Sequence, residues 1–151
     1  FGCKIIYYNK SKKVEFEKEL NAKKVTLEKL LKTSDVISIH VPLNKQTKNL
    51  LDKEKLDLLK PTAILVNTAR GEIVEEKYLI KLLKQNKIFS AGFDVYTNEP
   101  NYNKELLKLK NAVLLPHIGS ATFETRDSMA ELVAKNVINV LNGKPALTPI
   151  T

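Results

Sequence analysis

The chain has 151 residues, 43% hydrophobic and 28% charged, which is the balance of a globular domain able to bury a core. It carries 25 basic and 17 acidic residues, a formal charge of +8, but the lysines are spread without a dense block or interleaved aromatics, which argues against a nucleic-acid surface. Cys3 is the single cysteine, so an internal disulfide framework is excluded and a reducing cytoplasm fits; no apolar run reaches membrane-spanning length.

From its first residue, Phe1, the sequence enters an apolar run almost at once, which predicts a fragment whose opening elements lie upstream. KIIYYN (4–9) predicts a strand, and 12–21 an amphipathic helix with Val14, Phe16 and Leu20 on its apolar side. A short strand is expected at 23–25, then a helix over 26–34 capped by Thr26. DVISIHV (35–41) reads as a strand ended by Pro42, and 44–60 as one or two short helices before Pro61. The strand TAILVNT (62–68), a helix over 75–87 and the strand FSAGFDV (89–95) follow. A helical turn or two is expected at 103–108, and a short buried strand at 112–116. A long helix over about 122–142 carries Met129, Leu132, Val133, Val137, Val140 and Leu141 at three- and four-residue spacing and stops at Gly143. Strands that are apolar nearly throughout, alternating with helices, predict an α/β fold: a doubly wound parallel sheet of Rossmann type covered on both faces.

Ligands of such sheets bind just outside the carboxyl ends of the strands. Three polar residues stand there. Arg70, one of only two arginines, follows strand 62–68; Glu99 follows strand 89–95; His117, one of two histidines, follows strand 112–116. Singly, each is most simply a polar loop residue. At three successive sheet ends they form a workable set, in which arginine fixes a carboxylate by paired bonds and a carboxylate orients an imidazole that passes a proton. One cysteine and two distant histidines give no metal-ligand spacing, and no G-x-S-x-G nucleophile elbow is present.

The runs SIHVPLNKQTKNLLDKEKLDLLKPTAILVNTARGEIV, AGFDVYTNEP and LLPHIGSATFETRDSMAELVAKN resemble the D-isomer-specific 2-hydroxyacid dehydrogenases, and within that family the glyoxylate/hydroxypyruvate reductases. The resemblance implies that Arg70 holds the carboxylate of a small 2-oxo acid, that His117 donates a proton to the carbonyl oxygen, and that Glu99 keeps His117 charged. It implies that Asp94 sits beside the nicotinamide, that Thr68, Ala69, Ile118 and Gly119 line the cofactor, and that Val41 and Pro42 edge the adenine pocket. After the second strand, NAD-preferring relatives carry an acidic residue. Here Asn9, Lys10, Ser11, Lys12 and Lys13 occupy that stretch, which predicts NADP(H) preferred over NAD(H), because amide, hydroxyl and ammonium groups welcome a 2′-phosphate that a carboxylate repels. None of the five glycines forms G-x-G-x-x-G, so residues 1–151 are expected to be a partial dinucleotide-binding domain, truncated on its N-terminal side, without the first strand, the phosphate loop or most of the substrate domain. The resemblance further implies a homodimer in the full-length protein. It leaves open a phosphoglycerate or other D-2-hydroxyacid substrate, and a nicotinamide-dependent binding protein of the C-terminal-binding-protein corepressor type.

Overall fold

The structure is a computed structural model that describes residues 2–150; Phe1 and Thr151, the ends of the expected partial domain, lie outside the described residues. The chain divides into two compact units, one ending at Pro116 and one starting at His117.

In the first unit, each short β-branched run forms a strand and every ladder is parallel. β1 (Ile6–Tyr7) pairs with β2 (Lys23–Lys24), and β3 (Val36–Ile39), β4 (Ile64–Asn67), β5 (Ser90–Phe93) and β6 (Ala112–Leu114) lie side by side in that order. Between them run α1 (Val14–Leu20), α2 (Leu27–Thr33), α3 (Lys53–Leu56) and α4 (Glu76–Lys84), with 3-10 turns at Gly71–Ile73 and Lys104–Lys108. Thr26 caps α2 by accepting the Lys29 N–H, and Asp52 caps α3 by accepting that of Lys55.

Side chains alternate across the four-stranded sheet, so one face is buried and the other partly open. Ile37 aligns with Leu65 and Ala91, and Ile39 with Asn67 and Phe93, on the buried face. That face meets Leu79, Ile80, Leu82 and Leu83 of α4, together with Leu31, Leu56 and Ile73, in one apolar cluster. Each fully buried leucine contributes roughly 2 kcal/mol. The other face carries Val36 (60% exposed) and Val113 (64% exposed).

The parallel α/β architecture expected from the sequence is present, its strands forming two sheets. β1 and β3 share no ladder. They flank a cavity of about 540 Å³ lined by Tyr7 and Asn9 on one side and Ile37, Ile39, Val41 and Pro42 on the other. The expected apolar side of α1 is likewise uncovered: Val14, Phe16 and Leu20 are each about half exposed, and Phe16 lines this cavity instead of a packed core. The other elements are a residue or more shorter than predicted at one end or both. In the 44–60 stretch only Lys53–Leu56 is α-helical, because residues 44–50 close turns on the Asn44 side chain and backbone.

The second unit holds α5 (Phe123–Leu141), capped by Thr122 accepting the Thr125 N–H. Gly143 takes φ +69° after its end, and the following segment returns to the helix through Thr148 N–H donating to Asn136 Oδ1. The helix is amphipathic as expected, but none of its residues is buried, and Val133 and Leu141 are mostly exposed.

Candidate active site

β4 ends on a residue that breaks its own pattern. Where the aligned neighbours carry Ile39 and Phe93, β4 carries Asn67, which is 2% exposed. A buried amide must find partners. Asn67 Oδ1 accepts the Ala69 N–H at 3.1 Å and Nδ2 donates to the Arg70 carbonyl at 2.9 Å. The turn Thr68–Arg70 is thus folded back on its own strand end. Arg70 itself is extended (φ −152°, ψ 143°), and its Nη1 donates to the Ala69 carbonyl at 2.6 Å.

Gly71 fixes where this turn lies. A Cβ there would sit 2.1 Å from the Tyr96 carbonyl carbon and 2.3 Å from the Thr97 nitrogen, so only glycine lets the backbone after β5 approach this closely. That second loop is braced along its length. Asp94, 5% exposed, donates its N–H to the Asn67 carbonyl at 3.0 Å. The Tyr96 N–H donates to Glu99 Oε1 at 2.7 Å and the Thr97 N–H to Glu76 Oε2 at 3.0 Å. The Tyr96 hydroxyl donates to the Leu115 carbonyl at 2.7 Å. Burial, reinforced by the Asp94 and Glu99 carboxylates, pushes the Tyr96 hydroxyl above its ordinary pKa, so it remains a donor.

Of the predicted residues, Val41 and Pro42 share an open hollow of about 560 Å³ with Thr68, Ala69 and Arg70. Asn9, Val41 and Pro42 line the cavity between β1 and β3, together with Lys13. The turn holding Glu99 lies against the Arg70 turn through Gly71. In the loop after β1, Lys10 donates its ammonium to Gln46 Oε1, and Lys12 pairs with Glu17 at 2.9 Å. The Glu17 bond holds the Lys12 ammonium above its usual pKa, and the Lys12 bond holds the Glu17 carboxyl below its own. Ser11 is exposed.

In the second unit, His117 takes a left-handed backbone, φ +54°, which is uncommon for a residue with a side chain. The next residue, Ile118, accepts the Ala121 N–H in a tight turn, and His117, Ile118 and Gly119 are exposed.

Three residues of this architecture went unselected in the sequence: Asn67, Gly71 and His40. His40 stands beside Arg70's hollow at the carboxyl end of β3, where its ring bonds to Ser38 Oγ at 2.7 Å. The rule that selected His117 at a strand end applies to it equally. Asn67 was detectable as a polar residue at an inward position of an alternating strand. Gly71 had no sequence signal, since its neighbours in space are 25 residues away in the chain. Among the described residues, no three His, Cys, Asp or Glu side chains are grouped to hold a metal, and no helix is long and apolar enough to cross a membrane.

The profile of the D-isomer specific 2-hydroxyacid dehydrogenase NAD-binding domain matches residues 1–119. A glyoxylate reductase of Thermococcus litoralis is 56% identical over 144 residues, covering 95% of this chain and 44% of the relative. That of Pyrococcus furiosus is 53% identical over the same length, 43% of the relative. Among solved structures, the holo D-mandelate dehydrogenase of Rhodotorula graminis superposes with TM-score 0.90 at 40% identity, covering 99% of this chain and 44% of that one. The NADPH-dependent glyoxylate/hydroxypyruvate reductase of Sinorhizobium meliloti, in complex with NADP and malonate, superposes with TM-score 0.91 at 32% identity, covering 99% of this chain and 46% of that one. The chain spans less than half the length of these relatives. Parallel α/β architecture, an arginine turn braced at the sheet's carboxyl edge, and a profile match over most of the length agree: this chain belongs to the D-isomer specific 2-hydroxyacid dehydrogenase family, as part of its NAD-binding domain.

Proposed function

We propose that the full-length protein reduces glyoxylate or hydroxypyruvate to the corresponding 2-hydroxy acid with NADPH. The observation that carries this reading is the hollow that brings Arg70 together with Val41, Pro42, Thr68 and Ala69 at the carboxyl edge of β3 and β4. Arg70 binds the carboxylate of the 2-oxo acid through its planar guanidinium and draws charge from the adjacent ketone. His117 gives a proton to the carbonyl oxygen as the carbon is reduced. We assign Glu99, held in its turn by the Tyr96 N–H, to the reaction as the carboxylate that serves His117.

The cofactor, when bound, supplies the hydride. The residues present fit it: Asn9, Lys13, Val41 and Pro42, which follow β1 and β3 in the chain, line one part of the cavity, a mixed polar and apolar set suited to an adenosine moiety. By the family resemblance, Asp94, Ile118 and Gly119 are the residues that would hold its nicotinamide. Ser11, Lys10 and Lys13 meet the 2′-phosphate, with Lys10 leaving Gln46 to do so. The remainder of that cavity, flanked by β1 and β3, fits a further extended chain. The full-length protein is read as a cytoplasmic homodimer that binds neither membrane nor nucleic acid.

Steady-state assays of the full-length protein with glyoxylate, hydroxypyruvate, 3-phosphohydroxypyruvate and pyruvate, each with NADPH and NADH, test the whole reading. The highest kcat/KM is expected with glyoxylate or hydroxypyruvate and NADPH. A preference for NADH overturns the cofactor assignment, and absence of turnover with every 2-oxo acid favours a binding protein on the same scaffold.

A further inference from the structure

We propose that Asn67 and Gly71 are positioning residues that lock the Arg70 turn and the Asp94–Glu99 loop into a single piece, so that neither can shift without the other; this rests on the roles just given to Arg70 and Glu99. Three features converge. Asn67 is the one polar residue in a buried row, and both ends of its amide are spent on the Arg70 turn, at Ala69 N–H and Arg70 C=O. Its own carbonyl accepts the Asp94 N–H, so the same residue grips the second loop. Four residues on, Gly71 lies against the Tyr96–Thr97 peptide with no room for a methyl group. The two loops therefore touch at both ends, by a hydrogen bond at the base and by backbone packing farther out.

A purely structural role would predict lost stability and nothing more. Coupled loops predict something different, because a displacement of about 1 Å at a group that aligns substrate lowers rate on the order of 10²-fold. A Cβ at Gly71 must move the Tyr96–Thr97 peptide, the Arg70 turn, or both, since its contacts are backbone atoms and cannot rotate aside. Substrate alignment should suffer while the cofactor's adenosine end, on other loops, does not.

The experiment is a double-mutant cycle in the full-length enzyme with Gly71→Ala and Arg70→Lys, joined by amide hydrogen exchange. Gly71→Ala should lower kcat/KM for the 2-oxo acid on the order of 10²-fold and leave the affinity for 2′,5′-ADP, which reaches only the adenosine end, within about twofold. In an Arg70→Lys background the same change should cost less than about threefold, the signature of two residues acting through one group. Exchange at the Ala69 and Thr97 amides should rise together in Gly71→Ala while that of Leu65 in β4 stays put. Asn67→Asp is the second variant, since it keeps the size and the acceptor for Ala69 N–H but in its ionised form, at alkaline pH, has no donor for the Arg70 carbonyl; there it should give the same pattern in weaker form. Full additivity of Gly71→Ala with Arg70→Lys, or a rise in exchange at Thr97 with none at Ala69, overturns the coupling. An Arg70→Lys enzyme with unchanged kinetics instead sinks the role of Arg70 itself, independently of how the loops move.

Discussion

The loops after β4 and β5 and the loop after β1 are built on opposite plans. The first two are held by a buried amide, by backbone packed on Gly71, and by carboxylates that take the Tyr96 and Thr97 N–H groups. The third is a string of exposed polar residues whose ammoniums reach single surface partners, Gln46 and Glu17. Exposed pairs of that kind contribute little and exchange readily. In the proposed function, substrate chemistry needs fixed geometry, whereas selecting a phosphate needs positive charge that can rearrange, and the two loop types suit those tasks.

Substitutions can break or sharpen that contrast. The largest effect is expected from Arg70→Lys, which keeps the charge and loses the planar fork: kcat/KM for the 2-oxo acid should fall on the order of 10²-fold in steady-state assays. A drop confined to a factor of two would mean that the braced loop holds no substrate group. Next, Lys13→Glu should reduce the NADPH-to-NADH preference by roughly tenfold, one charge reversal near the cofactor's phosphate being worth about 1.4 kcal/mol. An unchanged ratio would strip the exposed loop of its proposed task.

Smaller in scale, Tyr96→Phe removes the bond to the Leu115 carbonyl and should destabilise the protein by about 1 kcal/mol in urea denaturation. The smallest effect belongs to Glu105, away from both loop types, whose pKa is lowered to about 2 by Lys108 and then Lys84. Its folded pKa lies below the unfolded 4.5, so its contribution is fully present above pH 4.5 and is lost as pH falls towards about 2. The difference in denaturation midpoint between the native protein and Glu105→Gln should therefore shrink through that window, and shrink at neutral pH when salt is added.

Local chemistry made much of this readable in advance. Apolar runs marked the strands, Thr26 marked a helix start by the hydroxyl that does cap it, and the strand-end rule led to Arg70. What escaped depends on partners distant in the chain. Periodicity identifies the apolar stripe of α5 and of α1, but not what covers it, and here Phe123 and Val14 are exposed. Alternation along TAILVNT asks for an apolar residue at position 67, and only the turn's unpaired backbone groups explain the amide. The division of the sheet at β1 and β3 is likewise invisible locally, because each strand satisfies its own pattern whether or not a neighbour lies beside it.

That division has a practical corollary. β1 and β3 each turn a row of backbone donors and acceptors toward the space between them, and Val36 adds an apolar side chain at the same border. Open borders of this type recruit other extended chains, so these 151 residues handled alone should self-associate through them. A short β-branched peptide added in trans would compete for that lane and keep the molecules apart.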